Sequence, residues 1–333
     1  MSEIPEVEAG GGHYMYHGKQ EDPFVIMRQA GWNFVRFRIW NHPRDGYCDK
    51  AHTLAMAKRA AAQGFKISLD FHYSDWWADP GKQFKPAEWK DLSFDKLVQA
   101  TYDYTKDVVT AMIAQGTPPY MVQVGNEIVG GMLWPDGKLS GNDPTKWKQL
   151  ATLLNAGIKA VHDSQGSKRI LTMIHLDRGG DNKAAVWWFD HINQEGVKYD
   201  TIGLSYYPNW HGKLETMQAN INDLATRYRK DVYIVETGYP WAMDERTRSS
   251  QHVIGSPGGI LDGYPATPDG QRDFLVKVMD IISHVPDGRG KGLLYWAPTW
   301  ISPTKKATAY DNIALFNYDG DSLPSFDTIG GKR

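Results

Sequence analysis

The sequence predicts a parallel (β/α)₈ barrel. Three observations carry that expectation: seven short apolar or β-branched runs, helical stretches between them, and polar residues gathered where the runs end. The runs span 34–40, 65–71, 120–126, 170–176, 201–206, 232–236 and 292–296. Each is bounded by turn residues and reads as a strand buried on both faces. Between them, Phe94, Leu97, Val98, Thr101, Tyr104, Val108 and Met112 recur at three-and-four spacing, with Ser93 placed as N-cap and Gly116 closing the helix. A second helix opens at Asp143 with Pro144 in its first turn and runs through Trp147, Leu150, Leu154, Ile158 and Val161 to Gly166. The eighth strand, first in the barrel, has only residues 1–4 to draw on, so it reads as cut short. No linker or low-complexity tract divides the chain, which gives one catalytic domain over 1–333 with long excursions at 79–91 and 243–270.

Composition narrows the ligand. A net charge of -2 provides no basic field for a phosphate backbone or an anionic lipid surface, so no nucleic-acid partner is expected and a neutral substrate fits better. Nor is membrane insertion expected, because no apolar run reaches the span of a bilayer. The 13 Trp and 17 Tyr residues offer flat amphipathic rings suited to the apolar faces of sugars as well as to a core. Cys48 is the only cysteine, which excludes an internal disulfide framework and any multi-cysteine metal site. The first residues, MSEIPEVEAGGG, lack the charged-then-apolar pattern of a secretory signal. A monomer is expected.

Barrel enzymes keep reactive groups where strands end. Here the runs end in Arg36, Arg38 and Trp40; in Asp70, His72 and Trp77; in Asn126 and Glu127; in His175 and Asp177; in Ser205, Tyr206 and Tyr207; in Glu236; and in Trp296, with Trp300 beyond. Any one of these is more often a solvated charge or packing group, but their convergence at one rim makes a sugar-sized cleft the better account. Glycoside hydrolysis needs one proton donor and one nucleophile or base about the anomeric carbon. Glu127 and Glu236 are the natural pair, since 109 positions separate them, about three β/α units, placing them across the barrel mouth. A retaining mechanism expects their carboxyl groups about 5–5.5 Å apart, and inversion about 6.5–9.5 Å. Arg36 or Arg38 beside Glu236 would hold it ionised at low pKa, while Glu127 would sit in a less charged place and stay protonated. Asn126 would bond the sugar 2-hydroxyl, Tyr206 would orient Glu236, and His175 would bond sugar hydroxyls. Trp77, Trp134, Trp241, Trp296 and Trp300 are candidate stacking platforms, some of them ordinary packing.

The stretches VRFRIW, SLDFHYSDWWADPGKQ, VQVGNEI, MIHLD, GLSYYPNW, VETGYPW and YPATPDGQ resemble those of the endo-β-1,4-galactanases of glycoside hydrolase family 53, over nearly the whole chain. GNEI together with WADP and VETGYPW is the specific part. The resemblance implies a retaining (β/α)₈ hydrolase of β-1,4-galactan or type I arabinogalactan, with Glu127 as acid/base and Glu236 as nucleophile. It also implies action outside the cell or at its envelope. Three departures stand out. An opening strand of the kind the family carries is reduced to Met1 and Ser2, Ala297 stands where the family commonly has Glu, and the loop AMDERTRSSQHVIG lacks the alternating oxygen ligands of a calcium site. No metal and no cofactor are therefore expected.

Three rival readings remain. A barrel glycosidase on mannan or xylan would share the chemistry, and a non-catalytic carbohydrate-binding barrel would not need both Glu127 and Glu236. A metal-dependent hydrolase would use His72, His175 and Asp177, which lack the paired spacing such sites need.

Overall fold

The computed structural model describes residues 1–243, 252–302 and 308–331. Seven strands form one parallel sheet in sequence order: β1 (Phe34–Ile39), β2 (Lys66–Phe71), β3 (Met121–Val124), β4 (Leu171–Leu176), β5 (Thr201–Tyr206), β6 (Asp231–Thr237) and β7 (Gly290–Leu293). Helices α1 (Ile4–Ala9) and α2 (Pro23–Gln29) precede the sheet. The crossovers carry α3 (Lys50–Ala62), α4 (Phe94–Ala114), α5 (Pro144–Ser164), α6 (Asn182–Gln194), the single turn α7 (Pro208–His211), α8 (Leu214–Tyr228) and α9 (Pro268–Ser283), and α10 (Pro324–Ile329) follows β7. A consecutive parallel order with a helix in every crossover is the pattern of the (β/α)₈ barrel, with seven of its strands formed among the described residues.

The helix starts follow their sequence signals unevenly. Asp143 caps α5 by accepting from the Thr145 amide at 2.9 Å. Ser93 does stand before α4, but its hydroxyl makes no capping bond, and its carbonyl accepts from Leu97 at 2.8 Å.

Strand alternation separates two apolar bodies. Val35, Phe37, Ile39, Ile67, Leu69, Phe71, Val122 and Val124 join the large core beneath the helices. Met121, Met173, Tyr233, Val235 and Leu294 form a smaller cluster that fills the barrel itself. Above that plug the same inward positions turn polar: Arg36, Asp70, Gln123, His175 and Ser205. The site is a polar layer resting on an apolar one.

The expected strand at residues 1–4 does not form. Pro5 has no amide proton for a ladder and a φ suited to a first helical turn, so the chain enters α1 at Ile4. Residues 1–3 lie against β1, where the Ser2 hydroxyl meets the amide of Arg38 at 3.0 Å and its carbonyl at 3.3 Å. Next to it, between β1 and β7, lies a slot of about 190 Å³, lined by Phe34, Arg36, Leu293 and Tyr295 among others. The final strand also ends sooner than expected. Past Leu293 the chain still runs along β6, with Leu294 donating to Ile234 and Trp296 to Thr237, both at 2.8 Å.

Candidate active site

Arg36 is the hub of the barrel mouth. Its guanidinium donates to Gln123 Oε1 at 3.1 Å, Asn126 Oδ1 at 2.8 Å and Glu236 Oε2 at 3.1 Å, and it lies 2.8 Å from Asp70 Oδ2. Four acceptors on three other strands and one loop thus converge on one planar cation, a fork geometry that lysine would not reproduce.

Glu236 reaches this hub because β6 is irregular. Ile234 pairs with Leu204 and Glu236 with Ser205, so one residue is gained and the register shifts. Val235 can then fill the inner plug while Glu236 also faces the mouth. Its second oxygen, Oε1, accepts from the Tyr207 hydroxyl at 3.0 Å.

Glu127 follows β3 in a left-handed conformation, φ 49° and ψ 50°. That conformation costs a non-glycine residue about 1–2 kcal/mol. It ends the strand abruptly and brings the side chain back over the barrel. Its Oε1 accepts from Ser205 at 2.6 Å. An oxygen of Glu127, an oxygen of Glu236 and a ring nitrogen of His175 all lie within 4.8 Å of one another. The same trio would be the place to look for a bound cation, but Arg36 already sets a fixed positive charge against Glu236.

Charge separates the two acids. Burial raises the Glu127 carboxyl well above its usual range, with the charges of Glu236 and Asp177 adding to it and Ser205 and Arg36 opposing. Glu236 is raised as well, again chiefly by burial, so the expected low pKa is not found. Arg36 and Tyr207 oppose that rise with hydrogen bonds to both carboxylate oxygens. Glu236 is the better stabilised anion and Glu127 the better held neutral acid.

Several expected contacts need correction. Arg36, not Arg38, meets Glu236. Arg38 lies 4.2 Å from the centre of the Trp77 ring and 3.9 Å from Glu3. Tyr206 does not orient Glu236: its side chain points out of the barrel, stacks on Phe274 and donates to the Gly212 carbonyl at 2.8 Å. Strand period two gives the inward places to its neighbours Ser205 and Tyr207. His175 does not face sugar hydroxyls, since it is fully buried with both ring nitrogens engaged. His72 and Asp70 are buried too and form a supporting pair. His72 Nδ1 accepts from Trp40 and Ala78, and its Nε2 faces Asp70 Oδ2 at 3.1 Å.

Asn126 is fixed by Arg36 and by donating to the Ala78 carbonyl at 2.9 Å. Asp177 is buried with one oxygen on Arg178, while its Oδ1 has no partner among the described residues.

The aromatic wall is continuous on one side. Trp77 stacks on Trp300 at 6.2 Å, Trp300 stacks on Tyr310 at 4.5 Å, and Trp296 meets Trp77 and Tyr310 edge-on. Trp134 stands apart, held through Gly130 and paired with the exposed Phe84. It is tied to the acid's loop through Gln83, which donates to the Asn126 carbonyl at 2.7 Å. Trp241 packs on Tyr318 and donates to the Asp311 carbonyl, away from Trp77. Residues 244–251 of the loop that prompted the expectation of no metal lie outside the described residues.

Gln123 and Tyr310 were not singled out from the sequence, and Ser205 and Tyr207 were placed at the rim without a role. Gln123 had a usable signal, a polar residue inside the apolar run MVQV. Ser205 and Tyr207 could have been found from the inward period shared with Gly203.

Comparison with known proteins points to one family. Residues 1–329 match the sequence profile of glycosyl hydrolase family 53. An arabinogalactan endo-β-1,4-galactanase of Cellvibrio japonicus is 35% identical over 339 residues, covering 98% of this chain and 88% of that one. An endo-β-1,4-galactanase of Bacillus subtilis is 33% identical, covering 96% and 82%. Among solved structures, a family 53 catalytic domain of Ignisphaera aggregans superposes with a TM-score of 0.89 at 34% identity, covering 98% and 93%. With the fold, the paired carboxylates and this likeness in agreement, the chain belongs to glycosyl hydrolase family 53.

Proposed function

We propose that this glycoside hydrolase cuts internal β-1,4-galactosidic bonds of galactan or type I arabinogalactan by double displacement. The observation that carries the chemistry is the approach of one Glu127 oxygen and one Glu236 oxygen to within 4.8 Å, close enough for the two carboxyls to flank a single anomeric carbon. Glu236, with Arg36 and Tyr207 on its two oxygens, attacks the anomeric carbon. Glu127 first protonates the leaving oxygen and then, as a base, activates the water that releases the sugar. Asn126 and Asp177 offer polar contacts to the sugar, and the Trp77, Trp296 and Trp300 wall offers stacking faces. The galactan assignment rests on the relatives' activity, since the aromatic wall alone would serve mannan or xylan equally.

The whole chain serves as one catalytic domain, works as a monomer and needs no metal or cofactor. A polymer substrate places its action outside the cell or at the envelope. The test is digestion of linear galactan, mannan and xylan, with products followed by chromatography and their anomeric configuration by NMR. Galactan should be preferred and should release oligosaccharides of retained β configuration. Preference for another polymer would overturn the substrate, and α products the mechanism.

A further inference from the structure

A hydrogen-bond chain behind Glu127 has a direction that can be read from its fixed hydrogens. The backbone amide of Glu127 points at His175 Nδ1 at 3.4 Å, and the Gln123 side-chain amide approaches the same nitrogen at 3.0 Å. A backbone hydrogen cannot rotate away, so Nδ1 is the acceptor and a neutral His175 carries its proton on Nε2. Asn126 Oδ1 also lies 3.0 Å from Nδ1, but it is already served by Arg36. Nε2 then donates to Ser205 Oγ at 2.8 Å, which leaves the Ser205 hydroxyl proton to donate to Glu127 Oε1 at 2.6 Å.

From this we infer that Ser205, aimed by His175, is a positioning residue that reserves Oε1 of Glu127 as an acceptor and so places the catalytic proton on Oε2. The inference rests on the reading of Glu127 as the acid/base. Without the chain, either oxygen could carry the proton and the carboxyl could turn, so only part of the protonated population would be aligned with the leaving oxygen. With it, one oxygen stays bonded in both protonation states as the residue alternates between acid and base. His175 can hold one tautomer because burial, Arg36, His72 and His211 disfavour its charged form, while Asp70 alone favours it. The groups acting on Glu127 are Glu236 and Asp177, which favour the protonated acid, and Ser205 and Arg36, which favour the anion.

The test compares Ser205→Ala, Ser205→Thr and Glu127→Gln on linear galactan and on an aryl galactobioside with a good leaving group. Ser205→Ala should lower kcat on galactan about tenfold and on the aryl substrate much less, with KM unchanged. Its alkaline limb of kcat/KM should move to higher pH, because a donor to the ionised form is lost. Ser205→Thr, which keeps the hydroxyl, should restore both readouts. Should Ser205→Ala not fold, Ser205→Cys, close in shape with a weak donor, gives the same comparison. Equal losses on both substrates with an unmoved alkaline limb would overturn the relay. Glu127→Gln serves as the reference. If Glu127→Gln spares kcat/KM on the aryl substrate while the Ser205 variants do not, only the relay fails. If it loses kcat/KM on both substrates alike, the acid/base assignment itself fails, because the first half-reaction with a good leaving group needs no proton.

Discussion

The mouth of the barrel and its seam are built on the same strand yet held in opposite ways. At the mouth, Arg36 of β1 is bonded to groups on β2, β3 and β6 and on the loop after β3. At the seam, the other edge of β1 faces the slot, with the Ser2 hydroxyl bonded to the backbone of Arg38. The ladder runs unbroken from β3 through β4 and β5 to β6 and registers Glu236 against Glu127. It does not pair β7 with β1, and on that side a buried cation of β1 ties the mouth together, with the apolar plug of Met121, Met173 and Tyr233 below it. Loss of the cation at the mouth should then cost both activity and stability, while perturbations at the seam should cost stability alone and less of it.

The largest effect is expected from Glu236→Ala, which should lower turnover on galactan on the order of 10⁴-fold or more. Added azide should restore part of it with a product of inverted configuration, read by NMR. Arg36→Met comes next. It leaves Asp70 and Glu236 as buried anions without their cation, so chemical denaturation should show a loss of about 3–5 kcal/mol alongside a collapse in kcat. Near-wild-type stability in that variant would remove the contrast with the seam.

Tyr207→Phe should lower kcat about tenfold to a hundredfold by taking a donor from the nucleophile, whereas Tyr206→Phe should cost about 1 kcal/mol of stability through its bond to Gly212. The reverse pattern would contradict the strand register. Glu127→Gln should stabilise the fold by about 1 kcal/mol. The sign follows from burial: a carboxyl raised in the folded state contributes its stability below its ordinary pKa and loses it as pH rises through the folded value. The gain in Tm should therefore be larger at pH 8 than at pH 5. Smallest of all, Ser2→Ala at the seam should cost about 1 kcal/mol or less in denaturant unfolding, with kcat/KM unaltered.

Much of this was legible in the residues. The seven parallel strands, and Glu127 and Glu236 as the acidic pair, follow from apolar runs that end in polar groups, because a buried strand must change composition where it meets a cleft. The Trp77, Trp296 and Trp300 wall followed likewise. Which of Arg36 and Arg38 meets Glu236, and which tyrosine, did not. Strand period two would give Val235 alone the inward place, and the extra residue in β6 that lets Glu236 face inward too leaves no mark on composition. His175 was assigned to the sugar because a polar strand-end residue looks the same whether it faces solvent or a neighbouring strand. Its burial and its bonds to Gln123 and Ser205 exist only once β3, β4 and β5 are side by side.

The sequence alone determined the elements, their order and which residue types crowd the rim, since propensity, periodicity and capping act over a few neighbouring positions. Packing in three dimensions settled which of two adjacent tyrosines meets Glu236, which arginine ties the mouth, and that His175 faces its neighbours and not the cleft. Those outcomes depend on distance and shielding between groups up to 200 positions apart, such as Arg36 and Glu236. Electrostatic energy is set by separation in space and exclusion of water, neither of which is encoded in a single stretch of chain.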